Sequence, residues 1–121
     1  MRILIVDDSS TMRRIIGNCL KGMGNHEIHE ANDGVEGMSK LGELKGVDLI
    51  LTDWNMPNMN GLQFIQAVKA SQYGSTPMIM VTTEAEKTKV VEALKAGAKN
   101  YVVKPFTPQV IQEKIKQVIG G

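Results

Sequence analysis

The sequence predicts an α/β fold, five strands alternating with five helices in a (βα)5 unit, doubly wound around one five-stranded parallel sheet. Three observations lead there. Short apolar runs recur along the chain, helical periodicity fills the gaps between them, and 121 residues make one domain with room for a core. Alternation of this kind implies right-handed crossovers, hence a parallel sheet with helices on both faces. Five strands are too few to close an eight-stranded type of barrel, so the sheet is expected to be open.

The first strand is Ile3 to Val6, continuous rather than alternating, as suits a strand covered on both sides. Met12, Ile15, Ile16, Cys19, Leu20 and Met23 then follow i, i+3, i+4 spacing, with Ser9, Ser10 or Thr11 as cap. His26 to Glu30 is polar around Ile28 alone and reads as an edge strand. Val35, Met38 and Leu41 mark the second helix, capped by Asn32 or Asp33. Val47 to Leu51 forms the third strand, and Leu62, Ile65 and Val68 the third helix. Met78 to Val81 is the fourth strand. Val90, Val91 and Leu94 stripe the fourth helix, which Gly97 ends in the usual C-terminal glycine position. Tyr101 to Val103 is the last strand. Thr107-Pro108, a cap followed by proline at the first helical position, opens a helix through Ile111, Ile115 and Val118.

Composition excludes several classes. Fourteen Lys/Arg against thirteen Asp/Glu leave a formal charge of +1, so no global field recruits nucleic acid or an anionic membrane. Five aromatics (Phe64, Phe106, Trp54, Tyr73, Tyr101) are too few for a base-stacking platform. The single Cys19 rules out an internal disulfide or a multi-cysteine zinc site, and its place on an apolar stripe makes it a buried, inert thiol. The first apolar run is too short for a signal-peptide core and none approaches a membrane span, so a cytoplasmic protein is expected.

In open sheets of this type ligands bind beyond the carboxyl ends of the strands. Those ends read Asp7-Asp8, Thr52-Asp53, Thr82-Thr83 and Lys104-Pro105, which puts three of five aspartates on one rim. Close carboxylates repel by a few kcal/mol per pair at an effective dielectric of ~20, and the cluster calls for a cation. Hard oxygen donors with room for water suit Mg²⁺, and neither His26 nor His29 reaches the rim to favour zinc. Lys104 and the Thr82 hydroxyl suit a phosphoryl group, and Asp53, alone at a central strand end, is the best nucleophile. Taken singly, Asp7-Asp8 reads as a helix-start acid pair, Thr82 as a helix cap, Tyr101 as a half-buried strand aromatic and Trp54 as packing.

Four stretches together, DDSSTMRRI (7–15), TDWNMPNMNG (52–61), VTTEA (81–85) and NYVVKPFTP (100–108), resemble response-regulator receiver domains of the single-domain chemotaxis type over essentially the whole chain. The resemblance implies flavodoxin-like strand order 2-1-3-4-5 and a single receiver domain over residues 1–121 with no output domain. It implies phosphorylation of Asp53 by a chemotaxis histidine kinase. Mg²⁺ would rest on Asp8, Asp53 and the Asn55 carbonyl, with Asp7 helping directly or through water. Lys104 would contact the phosphoryl group, through a strand end where the bond to Pro105 is often cis. Thr82 and Tyr101 would form the switch pair, and Asn55 and Glu84 would tune self-dephosphorylation. Two departures stand out: Thr83 where Ala or Gly is common, and Asn60 where many members have Asp.

Charge is unevenly spread. Residues 1–83 hold seven Lys/Arg and nine Asp/Glu, whereas residues 84–121 hold seven and four. Lys87, Lys89, Lys95, Lys99, Lys114 and Lys116 thus make a lysine-rich side, with Tyr101 among them. Its plain reading is a solvated face. Its functional reading is a docking face, which the resemblance assigns to the flagellar motor switch; a phosphatase is a further implied partner, and a monomer is expected. The alternatives are a receiver acting as relay or regulator outside chemotaxis, or an Asp-nucleophile phosphohydrolase. The latter uses D-x-D after the first strand, where this chain has Ser9. A flavin or nucleotide binder would need a phosphate loop where Asp7-Asp8 stands.

Overall fold

The computed structural model describes residues 1–120. Its elements are β1 (Arg2–Val6), α1 (Ser10–Lys21), β2 (Glu27–Ala31), α2 (Gly34–Leu44), β3 (Leu49–Thr52), α3 (Gly61–Ala70), β4 (Met78–Thr82), α4 (Lys87–Ala96), β5 (Asn100–Val103) and α5 (Pro108–Ile119). All neighbouring strands are parallel, in the order β2-β1-β3-β4-β5. The open five-stranded sheet and its order are those expected, with the polar β2 at one edge.

The sheet separates two cores. Leu4, Val6, Ile50 and Met80 face α2, α3 and α4, where they meet Leu41, Phe64, Ile65, Val68 and Ala93. Ile3, Ile5, Leu49, Leu51 and Val81 face α1 and α5, against Ile16, Leu20, Ile111 and Ile115. Alternate strand residues serve opposite faces and both faces are covered, which is why the strands read as unbroken apolar runs. Each fully buried Leu or Ile contributes roughly 1.5–3 kcal/mol. Cys19 is buried as expected, and burial pushes its thiol pKa up.

Several stripe positions differ from expectation. Ile15, Val35, Val91 and Leu94 are exposed. A helix turns 100° per residue, so the margins of a long apolar stripe roll away from a flat sheet. On α1 the anchors are Ile16, Cys19 and Leu20; on α4 only Ala93 is fully buried. β3 begins at Leu49 rather than Val47, because Asp48 is engaged in fastening β1: its N–H donates to the Arg2 carbonyl at 2.8 Å and its carboxylate accepts from the Arg2 N–H at 2.7 Å.

The caps follow local chemistry. Ser9 accepts from the Met12 N–H, Thr107 from that of Val110, and Asn60 forms a capping box with Gln63. The Asn60 departure therefore costs nothing at this helix start. Glu86 precedes α4 without a side-chain cap, so Thr82 is not the cap of that helix. Asp33 is buried and caps α2 through the Glu36 N–H at 2.9 Å, and its second oxygen accepts from Asn58 Nδ2 at 2.7 Å. These bonds, the backbone one first, hold its pKa below the usual carboxylate value. Asp33→Ala is expected to destabilise the fold by about 1–2 kcal/mol in urea titrations. Because the folded pKa is depressed, that stabilisation is present above the ordinary carboxylate pKa of about 3.9 and fades as pH falls through the folded value. The acid limb of the stability curve should accordingly be shallower in Asp33→Asn.

Candidate functional site

The carboxyl ends of β1, β3, β4 and β5 build one rim, and backbone bonds continue past the strands to fix it. The Asp7 N–H donates to the Ala31 carbonyl at 3.0 Å, that of Asp53 to Val6 at 2.9 Å, and that of Lys104 to Thr82 at 2.9 Å. Asp7, Asp53 and Lys104 are therefore clamped to the strand beside them through the backbone as well as through their side chains.

Lys104 lies between two of the acids. Its Nζ stands 2.8 Å from Asp7 Oδ2 and 3.3 Å from Asp53 Oδ2. The other Asp7 oxygen accepts from the Ser9 N–H at 2.9 Å, and the other Asp53 oxygen from the Trp54 N–H at 2.7 Å. Asp7, Asp8 and Asp53 each bring a carboxylate oxygen within 4.8 Å of the others. The Asp7 side chain is 2% exposed and that of Asp53 11%, whereas Asp8 faces solvent. Three carboxylates against one ammonium leave an excess of two negative charges in a small space. A divalent cation with oxygen preference matches both the excess and the donors. The cluster can hold a metal.

Above the rim, Glu84 gathers three other predicted residues. Its side chain accepts from Asn55 Nδ2 at 3.1 Å, its N–H donates to the fully buried Thr82 Oγ1 at 3.4 Å, and its carbonyl accepts from the Tyr101 hydroxyl. Tyr101 is thus turned inward, its ring buried. Burial first, then the negative charges of Glu84 and Asp53, push its pKa up to about 12. With a folded pKa above the unfolded value near 10, protonated Tyr101 favours the fold below pH 10, and that advantage is lost as pH rises towards 12. Phenolate absorbance of a Tyr73→Phe variant should show this late titration, and Tyr101→Phe should flatten the alkaline loss of stability.

Trp54 is buried against the rim, the packing role expected, with Lys89 Nζ 4.9 Å above its ring. Lys89 is therefore half turned from the lysine-rich side, while Lys87, Lys95, Lys99 and Lys116 are exposed and Lys114 is half-buried. The peptide bond between Lys104 and Pro105 is cis. His26 and His29 stay off the rim, against Met1 and Glu27.

Two further supports of the rim come from residues with no periodic signature in the sequence. Arg13 donates to the Asp7 carbonyl while its Nε meets Glu30 at 2.7 Å. Asn58, at φ 66°, ties the loop after Asp53 to Asp33, and the Gly34 N–H donates to the Met59 carbonyl at 3.1 Å. An Asn within a Pro/Asn-rich loop is a signal for the left-handed turn, but nothing local names Asp33 as its partner.

No helix of the described residues is long and apolar enough to cross a membrane. A family model described as the response regulator receiver domain matches residues 3–116. A chemotaxis protein CheY homolog of Campylobacter jejuni subsp. jejuni is 53% identical over 99% of this chain and 93% of its own. Chemotaxis protein CheY1 of Helicobacter pylori is 51% identical, over 99% and 98%. Among solved structures, chemotaxis protein CheY4 of Vibrio cholerae superimposes with a TM-score of 0.88 at 37% identity, covering 98% of each chain. The chain belongs to the response regulator receiver domain family of two-component systems, with CheY-like chemotaxis proteins as its relatives.

Proposed function

We propose that the protein is a phospho-acceptor switch, working as a cytoplasmic monomer, that takes a phosphoryl group from a chemotaxis histidine kinase onto Asp53 and then binds the flagellar motor switch. The observation that carries this reading is Lys104 held between Asp7 and Asp53, with Asp8 in reach of both acids. An Asp53 carboxylate oxygen attacks the phosphorus of a phosphohistidine. The P–O bond forms as the P–N bond breaks, and the imidazole leaves with the electron pair and gains a proton. Asp8, Asp53 and the Asn55 carbonyl, helped by Asp7, would hold Mg²⁺, which when bound supplies charge neutralisation at the phosphoryl oxygens.

Lys104 already faces Asp53 and needs only a small shift to meet a phosphoryl oxygen. Thr82, whose hydroxyl accepts from Glu84, has a free proton to donate to the same group. Drawing Thr82 toward the phosphoryl group would favour the arrangement in which the Tyr101 ring is turned inward with its hydroxyl bonded to the Glu84 carbonyl. That favours one population of the α4–β5–α5 side, where the lysines present themselves to a partner. Asn55 and Glu84, bonded to each other beside Asp53, would govern how water reaches the acyl phosphate and so its lifetime.

Trp54 reports on this pocket directly. Its fluorescence should change saturably with Mg²⁺, and again when acetyl phosphate or phosphoramidate is added in the presence of Mg²⁺. Silence towards all three would remove the basis of the proposal.

A further inference from the structure

α1 runs beside the edge strand β2, and an open cleft of about 590 Å³ lies between them at the margin of the sheet. Gly17 and Ile28 contribute its apolar part, and Arg14, Lys21 and His26 its basic part. The cleft belongs neither to the aspartate rim nor to the lysines of α4 and α5.

Gly17 stands mid-helix, where glycine is destabilising relative to alanine. The fold supplies no steric reason for it. A Cβ at Gly17 would meet nothing within 4 Å, and its φ is not positive. Gly34 and Gly37 differ: a Cβ there would strike Met59 and Phe64 respectively. The absent side chain at Gly17 keeps a recess open towards the outside instead of letting two internal elements pack.

Charge surrounds that recess. Arg13 and Glu30 neutralise one another through their 2.7 Å ion pair. Arg14 and Lys21 are exposed, and neither meets a carboxylate within 4.0 Å among the described residues. Positions 14, 17 and 21 share one helical face, so the two cations flank the glycine, about 10 Å apart along the axis. Ser10 and Lys21 mark the ends of a surface roughly 17 Å long, the span of about five extended residues. A groove of this length and shallowness suits a polypeptide rather than a small ion.

We propose that this α1–β2 cleft docks an acidic segment of a partner protein, with one apolar side chain seated over Gly17 and Ile28 and carboxylates on Arg14 and Lys21. Such a surface lets one partner hold the domain while the rim and the lysine-rich side stay free for others.

The test is an amide NMR titration with a nine-residue peptide of alternating Glu and Leu, capped at both ends. Saturable shifts should concentrate at Gly17, Asn18, Lys21 and Ile28. Gly17→Leu, which extends a side chain from a position where a Cβ meets nothing within 4 Å, should weaken binding at least tenfold, and so should the Arg14→Glu/Lys21→Glu double variant. Gly17→Ala controls for helix stability, and all variants should keep the Trp54 response to Mg²⁺. The proposal fails if no shift appears by 5 mM peptide, or if the shifts gather on α4 and α5 instead. It fails equally if Gly17→Leu binds as well as the parent, or if a Glu/Ser peptide binds as well as Glu/Leu, which would reduce the effect to charge alone.

Discussion

Asp53→Asn is expected to abolish phosphoryl uptake, with a loss of at least about 10³-fold in the rate of acceptance from a kinase or from acetyl phosphate. The amide nitrogen is no nucleophile, and the variant removes one of the three charges that give the rim its excess. The fold should survive. The Asn side-chain oxygen can still accept from the Trp54 N–H, and Lys104 keeps Asp7 at 2.8 Å. Radiolabelled phosphate released by hydroxylamine measures the acyl phosphate directly. If Asp53→Asn still accumulates that label, the nucleophile lies elsewhere, and Asp8, the exposed acid within 4.8 Å, becomes the alternative.

The second large effect is structural but falls on the same site. Gly61 opens α3, and its N–H donates to the Trp54 carbonyl at 2.8 Å. A Cβ at this position would be driven into the Asp53 carbonyl oxygen and would lie 2.9 Å from the Trp54 Cα. These are backbone atoms beside the proposed nucleophile, so no side chain can swing away to make room. Gly61→Ala should destabilise the fold by about 3 kcal/mol, at the upper end of overpacking effects, and lower the thermal midpoint by roughly 10 °C or more. Whatever variant remains folded should bind Mg²⁺ less tightly, since Asp53 is displaced. Gly42→Ala is the matched control. Its Cβ meets nothing, and the change should be neutral or stabilising by up to about 1 kcal/mol. A loss under 0.5 kcal/mol in Gly61→Ala would show that the loop accommodates a methyl group and that the close approach is not needed.

Legibility in the sequence followed burial on two faces. Continuous runs such as Ile3 to Val6 and Met78 to Val81 place strands without ambiguity, and the residue just past each run must then sit on the rim. That is why the sequence alone brings Asp7, Asp8, Asp53, Thr82 and Lys104 together. Helix faces were harder. Val91 and Leu94 satisfy the spacing of a buried stripe, yet α4 rests on the sheet through Ala93 and leaves them exposed. Apolarity and spacing alone do not say which of two adjacent stripes turns inward. Bonds between distant loops were not legible at all. Asn58 with Asp33, and Arg13 with the Asp7 carbonyl, depend on how two turns approach in space. No periodicity encodes that.

The cation between Asp7 and Asp53 arrives late in another sense. Asp7 and Lys104 lie 97 residues apart, and Lys104 follows the fifth strand of the sheet to leave the ribosome. A growing chain whose β5 is still sheltered in the exit tunnel has the acids of β1 and β3 but not their lysine. Nor can the sheet gain its final edge until that strand emerges. A half-made molecule therefore holds the acids of the rim without the ammonium that lies between them, and its sheet is still open where β5 will pair with β4.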